Sequence, residues 1–221
     1  MDGSKKWTIE TIIFDFDGVL VNTGRDIANA ANFVLASLGL QELPPEKIIR
    51  FIGGGAEPLI RKCLDDKAGE LFTEALALFK QRYSQYFCVE TVLYPGVLEV
   101  LEHYSQAQKN MALATNKVER LTYGILQGLN IQKYFQVVIG PESIAHLKPH
   151  PESVQRILEQ FGTAPTKAVM IGDTAADILS GKAAGTLTCG VDYGFGTPEE
   201  VREANPNFIL DEISQLMVYI D

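Results

Sequence analysis

Cysteine is scarce in this chain of 221 residues: Cys63, Cys88 and Cys189 are widely spaced and odd in number. They form no CxxC pair and no Cys/His cluster, which excludes a disulfide framework and a thiolate metal site. Buried free thiols in a reducing compartment are expected. Positive charge is also short, with 19 Lys and Arg against 28 Asp and Glu and a net charge of −9. That balance argues against a nucleic-acid partner, whose phosphates need a basic footprint. A local cluster of donors can still take a small anion. No run approaches the roughly eighteen uninterrupted apolar residues that a membrane-crossing helix requires. Met1–Trp7 has no apolar stretch after Lys5-Lys6, so neither a membrane nor a signal peptide is expected, and the cytoplasm is the default location. Internal repeats, low-complexity tracts and long charge runs are missing, as is any G-x-x-x-x-G-K-[ST] phosphate loop.

What is present is an ordinary globular composition, 46% hydrophobic and 21% charged, of a length that suits one domain or a core with a smaller insertion. Three short apolar runs each end in a carboxylate or hydroxyl. They are Ile12-Ile13-Phe14 before Asp15-Phe16-Asp17-Gly18, Met111 to Ala114 before Thr115-Asn116, and Ala168 to Ile171 before Gly172-Asp173, with Asp177 four residues on. Lys148 lies between the second and third, in Lys148-Pro149-His150-Pro151. Short apolar runs bounded by turn residues read as buried parallel strands. In open α/β sheets, ligands bind beyond the carboxyl ends of such strands. The three strand ends together point to a phosphoryl-transfer site.

Between the first and second runs the pattern is helical. Ile27, Ala31, Val34, Leu35 and Leu38 recur at helical spacing up to Gly39. Pro44-Pro45 opens another helix, and further patterns run through Ile60, Cys63 and Leu64 and from Leu71 to about Tyr86. From Tyr94 onward helices and strands alternate again, which implies a parallel sheet with right-handed crossovers. The expected fold is therefore a doubly wound parallel α/β core, residues 1–23 and 91–221, with an inserted all-helical cap, residues 24–90. Tyr83, Tyr86 and Phe87 are read as cap core.

The chemistry follows from residue types. Residues two apart on a strand share a side, so Asp15 and Asp17 can reach one site as the strand ends. Two such carboxylates repel unless a cation sits between them. One can then be an ionised nucleophile while the other works as general acid and base. The spacing of Asp173 and Asp177 puts both on one face of a helix start. With Asp15 they form an all-oxygen set that selects Mg²⁺. Thr115-Asn116 is expected where a strand passes into a helix, an anion-binding position at which Thr115 can also be an N-cap. Lys148 supplies a cation. His103 is read as a surface or boundary residue. His146 and His150 flank Lys148 in a loop where histidines ordinarily face solvent. Arg25 and Gly53-Gly54-Gly55 are candidate contacts for the leaving group.

On these residues the chain resembles the haloacid dehalogenase superfamily in its phosphatase branch. Asp15-Phe16-Asp17-Gly18-Val19-Leu20 is similar to the first motif, Thr115-Asn116 to the second, Lys148 to the third, and Gly172-Asp173 with Asp177 to the fourth. The resemblance implies that Asp15 attacks phosphorus to give an aspartyl-phosphate, and that Asp17 protonates the leaving alcohol and then activates water. It implies that Mg²⁺ is held by the Asp15 carboxylate, the Asp17 backbone carbonyl and Asp173, with Asp177 in support. Thr115, the Asn116 amide and Lys148 would hold the phosphoryl group. Thr115-Asn116-Lys117, Lys148-Pro149-His150-Pro151 and Ile52-Gly53-Gly54-Gly55 resemble phosphoglycolate phosphatases, whereas Asn22-Thr23 stands where many relatives carry Asp-Ser. The implied substrate is a small phosphorylated metabolite, 2-phosphoglycolate foremost, acted on by a monomer or homodimer. Pyrophosphatase or nucleotidase activity is the rival within the hydrolases. A sugar phosphomutase, which usually carries a cap histidine that Gly24–Phe33 lacks, and a non-catalytic phosphate-binding protein are the rivals of another class.

Overall fold

The computed structural model describes residues 6–221; the first five residues of the Met1–Trp7 stretch lie outside the described residues. Among the described residues eight strands are formed: β1 (Thr11–Phe14), β2 (Val21–Asn22), β3 (Val92–Leu93), β4 (Asn110–Ala114), β5 (Val137–Ile139), β6 (Ala168–Gly172), β7 (Leu187–Val191) and β8 (Phe208–Leu210). Six of them make one sheet in the order β5-β4-β1-β6-β7-β8, with every pairing parallel. The chain leaves β1 to build β4 and β5 on one side, then crosses to β6 on the other. Strand order therefore reverses at β1, and the crevice beyond its carboxyl end is where such sheets bind ligands.

The sheet is apolar on both faces because helices cover both. Ile12 and Phe14 of β1 join a cluster with Leu113, Ile171, and Val97, Val100 and Leu101 of α5 (Val97–Gln106). Ile125 of α6 (Glu119–Gly128) joins the same cluster. Ile13, one residue out of phase, packs on the other face with Ala112 and Met170. There it meets α7 (Glu152–Phe161) through Val154 and Ile157, and α8 (Ala175–Ala184) through Ala184. Burial on both faces is why these strands read as continuous apolar runs rather than alternations. At the far edge, Trp7 bridges Ile220 in parallel and stacks on Phe208 at 5.0 Å between ring centroids.

The segment between β2 and β3 is all helical. It holds α1 (Gly24–Ser37), α2 (Pro45–Ile49), α3 (Ala56–Leu64) and α4 (Ala68–Gln85). Two short helices, α9 (Pro198–Glu203) and α10 (Leu216–Tyr219), complete the chain. Helices α1 to α4 share their own apolar cluster, built on Ile27, Val34 and Leu35 of α1, Leu59, Ile60 and Cys63 of α3, and Phe79 and Tyr83 of α4. The chain enters and leaves this block side by side, because β2 and β3 pair antiparallel with Val21 opposite Leu93. Asp26, buried in the first turn of α1, fastens the exit strand. Its carboxylate accepts from the backbone N–H groups of Val89 (2.9 Å), Glu90 (3.0 Å) and Thr91 (3.0 Å) and from the Thr91 hydroxyl (2.7 Å). Among the described residues no helix is long and apolar enough to cross a membrane.

Candidate active site

Three parallel strands end at one edge, and each delivers a polar residue there: Asp15 follows β1, Thr115 follows β4 and Asp173 follows β6. A lysine from a loop closes the group. The Lys148 ammonium lies 2.8 Å from Asp15 Oδ1 and 2.6 Å from Asp177 Oδ1, and donates to the Ala114 carbonyl at 2.6 Å. Burial favours a neutral amine, but Asp15 and Asp177 outweigh it and raise the Lys148 pKa, so the charge is held. Burial likewise pushes Asp15 up to about 7 against the opposing pull of Lys148. Asp173 is raised well above the carboxylate range, first by burial and then by Asp177 and Asp15.

Asp173 is held by one oxygen. Its Oδ2 accepts from the N–H groups of Phe195 (2.7 Å) and Gly196 (3.2 Å), while Oδ1 is buried without a hydrogen-bond partner. A side chain at Gly18, where φ is +88°, would run into that carboxylate, so the turn after Asp17 has to be glycine. Asp15, Asp173 and Asp177 offer carboxylate oxygens within 4.8 Å of one another. Three carboxylates face one ammonium in a buried space that resists ionising Asp15 and Asp173, and one oxygen lacks a partner. Buried charges are costly unless paired or bound to metal, so the donor set fits a hard divalent cation.

Asp17 turns elsewhere. β1 stops at Phe14, so Asp15-Phe16-Asp17 is a loop, and the expected strand alternation does not govern the pair. The Asp17 carboxylate accepts from the Thr23 hydroxyl at 2.6 Å and from the Lys117 ammonium at 3.1 and 3.2 Å. Lys117 also donates to the Tyr83 hydroxyl at 2.7 Å, joining the sheet edge to α4. A cavity of about 230 Å³ opens here between the sheet edge and the helical block. Asp15, Asp17, Thr115 and Lys117 form one side, and Leu59, Phe79 and Tyr83 belong to the other. Sequence reasoning gave Lys117 and Tyr83 no chemical role. The only signal for Lys117 was its place directly after Thr115-Asn116, and Tyr83 was hidden in a helical stripe.

Three expectations change in detail. Helix α6 begins at Glu119 with Val118 as N-cap, so Thr115 and Asn116 lie in a turn before it, and Thr115 is no helix cap. The Thr115 hydroxyl instead accepts from the Lys117 N–H at 3.1 Å. The Asn116 side chain is a staple: its Nδ2 donates to the Gly53 and Lys148 carbonyls (3.1 and 3.3 Å) and its Oδ1 accepts from Lys148 N–H (3.1 Å). Asp173 precedes α8, and Asp177 is the third residue of that helix, so the two do not share a helix face. Asp177 closes a capping box with Thr174 while its other oxygen takes Lys148. Gly53 and Gly55 line the cavity with φ of +124° and +85°, but Gly54 and the exposed Arg25 do not line it; Lys80 and Arg120 are its other cations.

Comparison with known proteins agrees with this geometry. Residues 12–191 match the family model of the haloacid dehalogenase-like hydrolases. The chain is 36% identical to the phosphoglycolate phosphatase of Aquifex aeolicus (strain VF5), over 96% of this chain and 97% of that one. It is 34% identical to that of Haemophilus influenzae (strain ATCC 51907 / DSM 11121 / KW20 / Rd), over 92% and 95%. The crystal structure of a predicted phosphoglycolate phosphatase from Haemophilus somnus 129pt superposes with a TM-score of 0.89 at 27% identity, covering 95% of this chain and 97% of that one. The chain therefore belongs to the haloacid dehalogenase-like hydrolases, and it is a phosphatase, a phosphoric-monoester hydrolase similar to the phosphoglycolate phosphatases.

Proposed function

We propose that the chain hydrolyses a small phosphorylated metabolite, 2-phosphoglycolate foremost, through an aspartyl-phosphate on Asp15. The observation that carries this reading is the position of Asp15. It directly follows the central strand, 2.8 Å from the buried Lys148 ammonium, and lines a cavity that Asp17 also lines. An Asp15 oxygen attacks phosphorus while the ester P–O bond breaks, and Asp17 gives its proton to the departing alkoxide. Asp17 then takes a proton from the water that attacks the aspartyl-phosphate, and orthophosphate leaves Asp15 free. Thr115, the Asn116 backbone amide and Lys148 hold the phosphoryl oxygens. The Asp15 and Asp173 carboxylates and the Asp17 backbone carbonyl would hold Mg²⁺, with Asp177 in support through Lys148. When bound, that ion supplies positive charge to the phosphoryl oxygens at an all-oxygen site.

Residues 24–90 act as the cap on a core of 1–23 and 91–221. Its apolar wall excludes water, while Lys117, Arg120 and Lys80 favour a leaving group that carries a carboxylate. An anionic leaving group would draw the Lys117 ammonium from Asp17 and free that carboxyl to carry a proton. The free thiols of Cys63, Cys88 and Cys189 suit a cytoplasmic monomer or homodimer.

The test is a phosphatase screen over 2-phosphoglycolate, pyrophosphate, sugar phosphates, nucleotides and an aryl phosphate. 2-Phosphoglycolate is expected to give the highest kcat/KM. Chelator should silence the enzyme, and Mg²⁺ should restore it where Ca²⁺, with its looser geometry, does not. A higher kcat/KM for pyrophosphate or a nucleotide would replace the substrate, and full activity in excess chelator would remove the metal.

A further inference from the structure

The loop that carries Lys148 presents a second group of metal-type donors on its outer side. His146, His150 and Glu152 each place a ligand atom within 4.8 Å of the others. The two imidazole rings lie 4.5 Å apart between centroids, tilted by 32°. Glu152 does not swing freely. Its carboxylate accepts from the backbone N–H groups of Ala145 (3.1 Å) and His146 (3.0 Å) and contacts His146 Nδ1 at 3.2 Å. The Glu152 N–H in turn donates to His150 Nδ1 at 3.3 Å. Seven residues of one loop and helix start thus hold two imidazoles and a carboxylate together.

We propose that His146, His150 and Glu152 form a binding site for a borderline divalent cation such as Zn²⁺, separate from the carboxylate site at the sheet edge. Ligand type decides the ion. Imidazole nitrogen suits Zn²⁺, Cu²⁺ and Ni²⁺, whereas carboxylate and carbonyl oxygens suit Mg²⁺. Two histidines and a carboxylate around a position open to solvent is a three-ligand zinc arrangement, with water as the fourth ligand. Donors around zinc, at bond lengths of about 2.0–2.2 Å, sit roughly 3.3–3.5 Å from one another. His146 Nδ1 and Glu152 are already at 3.2 Å, and no other pair has to close by more than about an ångström and a half, within reach of side-chain rotations at two exposed histidines. The Arg156–Glu152 ion pair at 3.1 Å is on the surface, where such pairs contribute little.

The site would sit against the catalytic loop without using its chemistry. Lys148 lies midway between the two histidines, yet its ammonium points inward to Asp15 and Asp177. The proposal does not depend on which ester the enzyme hydrolyses, nor on the ion held at Asp15 and Asp173.

Untagged protein in saturating Mg²⁺ should be titrated with Zn²⁺ by calorimetry, and with Cu²⁺ under electron paramagnetic resonance. One equivalent of Zn²⁺ is expected, with Cu²⁺ showing superhyperfine splitting from imidazole nitrogen. The double variant H146A/H150A should abolish the splitting. Either single variant should weaken Zn²⁺ by roughly tenfold or more, the scale on which even outer partners of metal ligands act. Asp173→Asn should leave both signals unchanged, as should Cys88→Ser. Circular dichroism checks that each variant is folded. Zn²⁺ stoichiometry unchanged in the double histidine variant, sulfur rather than nitrogen around Cu²⁺, or no binding of either ion would overturn the site.

Discussion

Two buried lysines divide the site into regions built on different terms. Lys148 belongs to the floor, where its partners Asp15, Asp177 and the Ala114 carbonyl all come from the sheet edge and α8. Lys117 belongs to the wall, and its partners are Asp17 on the sheet side and Tyr83 on α4 of the helical block. The floor carries more carboxylates than ammonium groups and keeps an unpartnered Asp173 oxygen. The Lys117–Asp17 pair in the wall is balanced, one carboxylate for one ammonium. An unbalanced floor fits the binding of a further cation and a transferring phosphoryl group. A balanced wall fits a contact that breaks and re-forms when a leaving group enters.

The sharpest break is expected on the floor. Asp15→Asn should abolish turnover by on the order of four to six decades, as deletions of covalent nucleophiles do. The thermal midpoint, read by circular dichroism, should hold or rise. Substantial activity in a clean preparation would end the aspartyl-phosphate mechanism. Next comes the pair of lysine variants. Lys148→Ala leaves Asp15 and Asp177 facing each other in a dry site and should cost about 3–5 kcal/mol in urea denaturation with chelator present. Lys117→Met should cost less, about 1–2 kcal/mol, because Asp17 keeps the Thr23 hydroxyl and its side chain is 14% exposed. Equal losses in the two variants would erase the distinction between floor and wall.

Tyr83→Phe sharpens the comparison further, since it removes only the hydroxyl through which Lys117 reaches the helical block. A stability loss of about 1 kcal/mol is expected. kcat/KM should fall for 2-phosphoglycolate more than for an aryl phosphate. Parallel losses on both substrates would make the contact structural alone. The smallest effect concerns the glycine loop. Gly55→Ala forces a side chain into φ of +85° and should destabilise by about 1–2 kcal/mol, whereas Gly54→Ala, with no such φ but a methyl 3.3 Å from the Pro58 ring, should cost less, up to about 1 kcal/mol. Thermal melts of the two variants decide it.

Much of the floor is legible in the amino-acid sequence, and little of the wall is. Strands buried on both faces announce themselves as apolar runs, so Asp15, Thr115 and Asp173 could be placed on one edge before any coordinates. Lys148 was legible only as a cation that such a site needs. The wall depends on pairs distant along the chain. Lys117 and Tyr83 are 34 residues apart, and nothing local says that a tyrosine in a helical stripe turns its hydroxyl towards a lysine. Arg25 and Asp26 show the same limit. Sequence attention fell on the arginine, but its neighbour accepts from four donor groups on residues more than 60 positions away. The two-residue strands β2 and β3 are too short to leave any periodicity.

That short ribbon has a consequence for how the chain assembles. Val21 lies opposite Leu93 and Asn22 opposite Val92, so the ends of the insertion are adjacent. To the forming sheet, everything between them is one closed loop, however many helices it contains. The entropy of closing such a loop grows only logarithmically with its length, by about 0.6 kcal/mol per doubling. The helical block can lengthen, shorten or be exchanged at little cost to the joining of β1 with β4, and the ribbon is where such grafting would leave the sheet undisturbed.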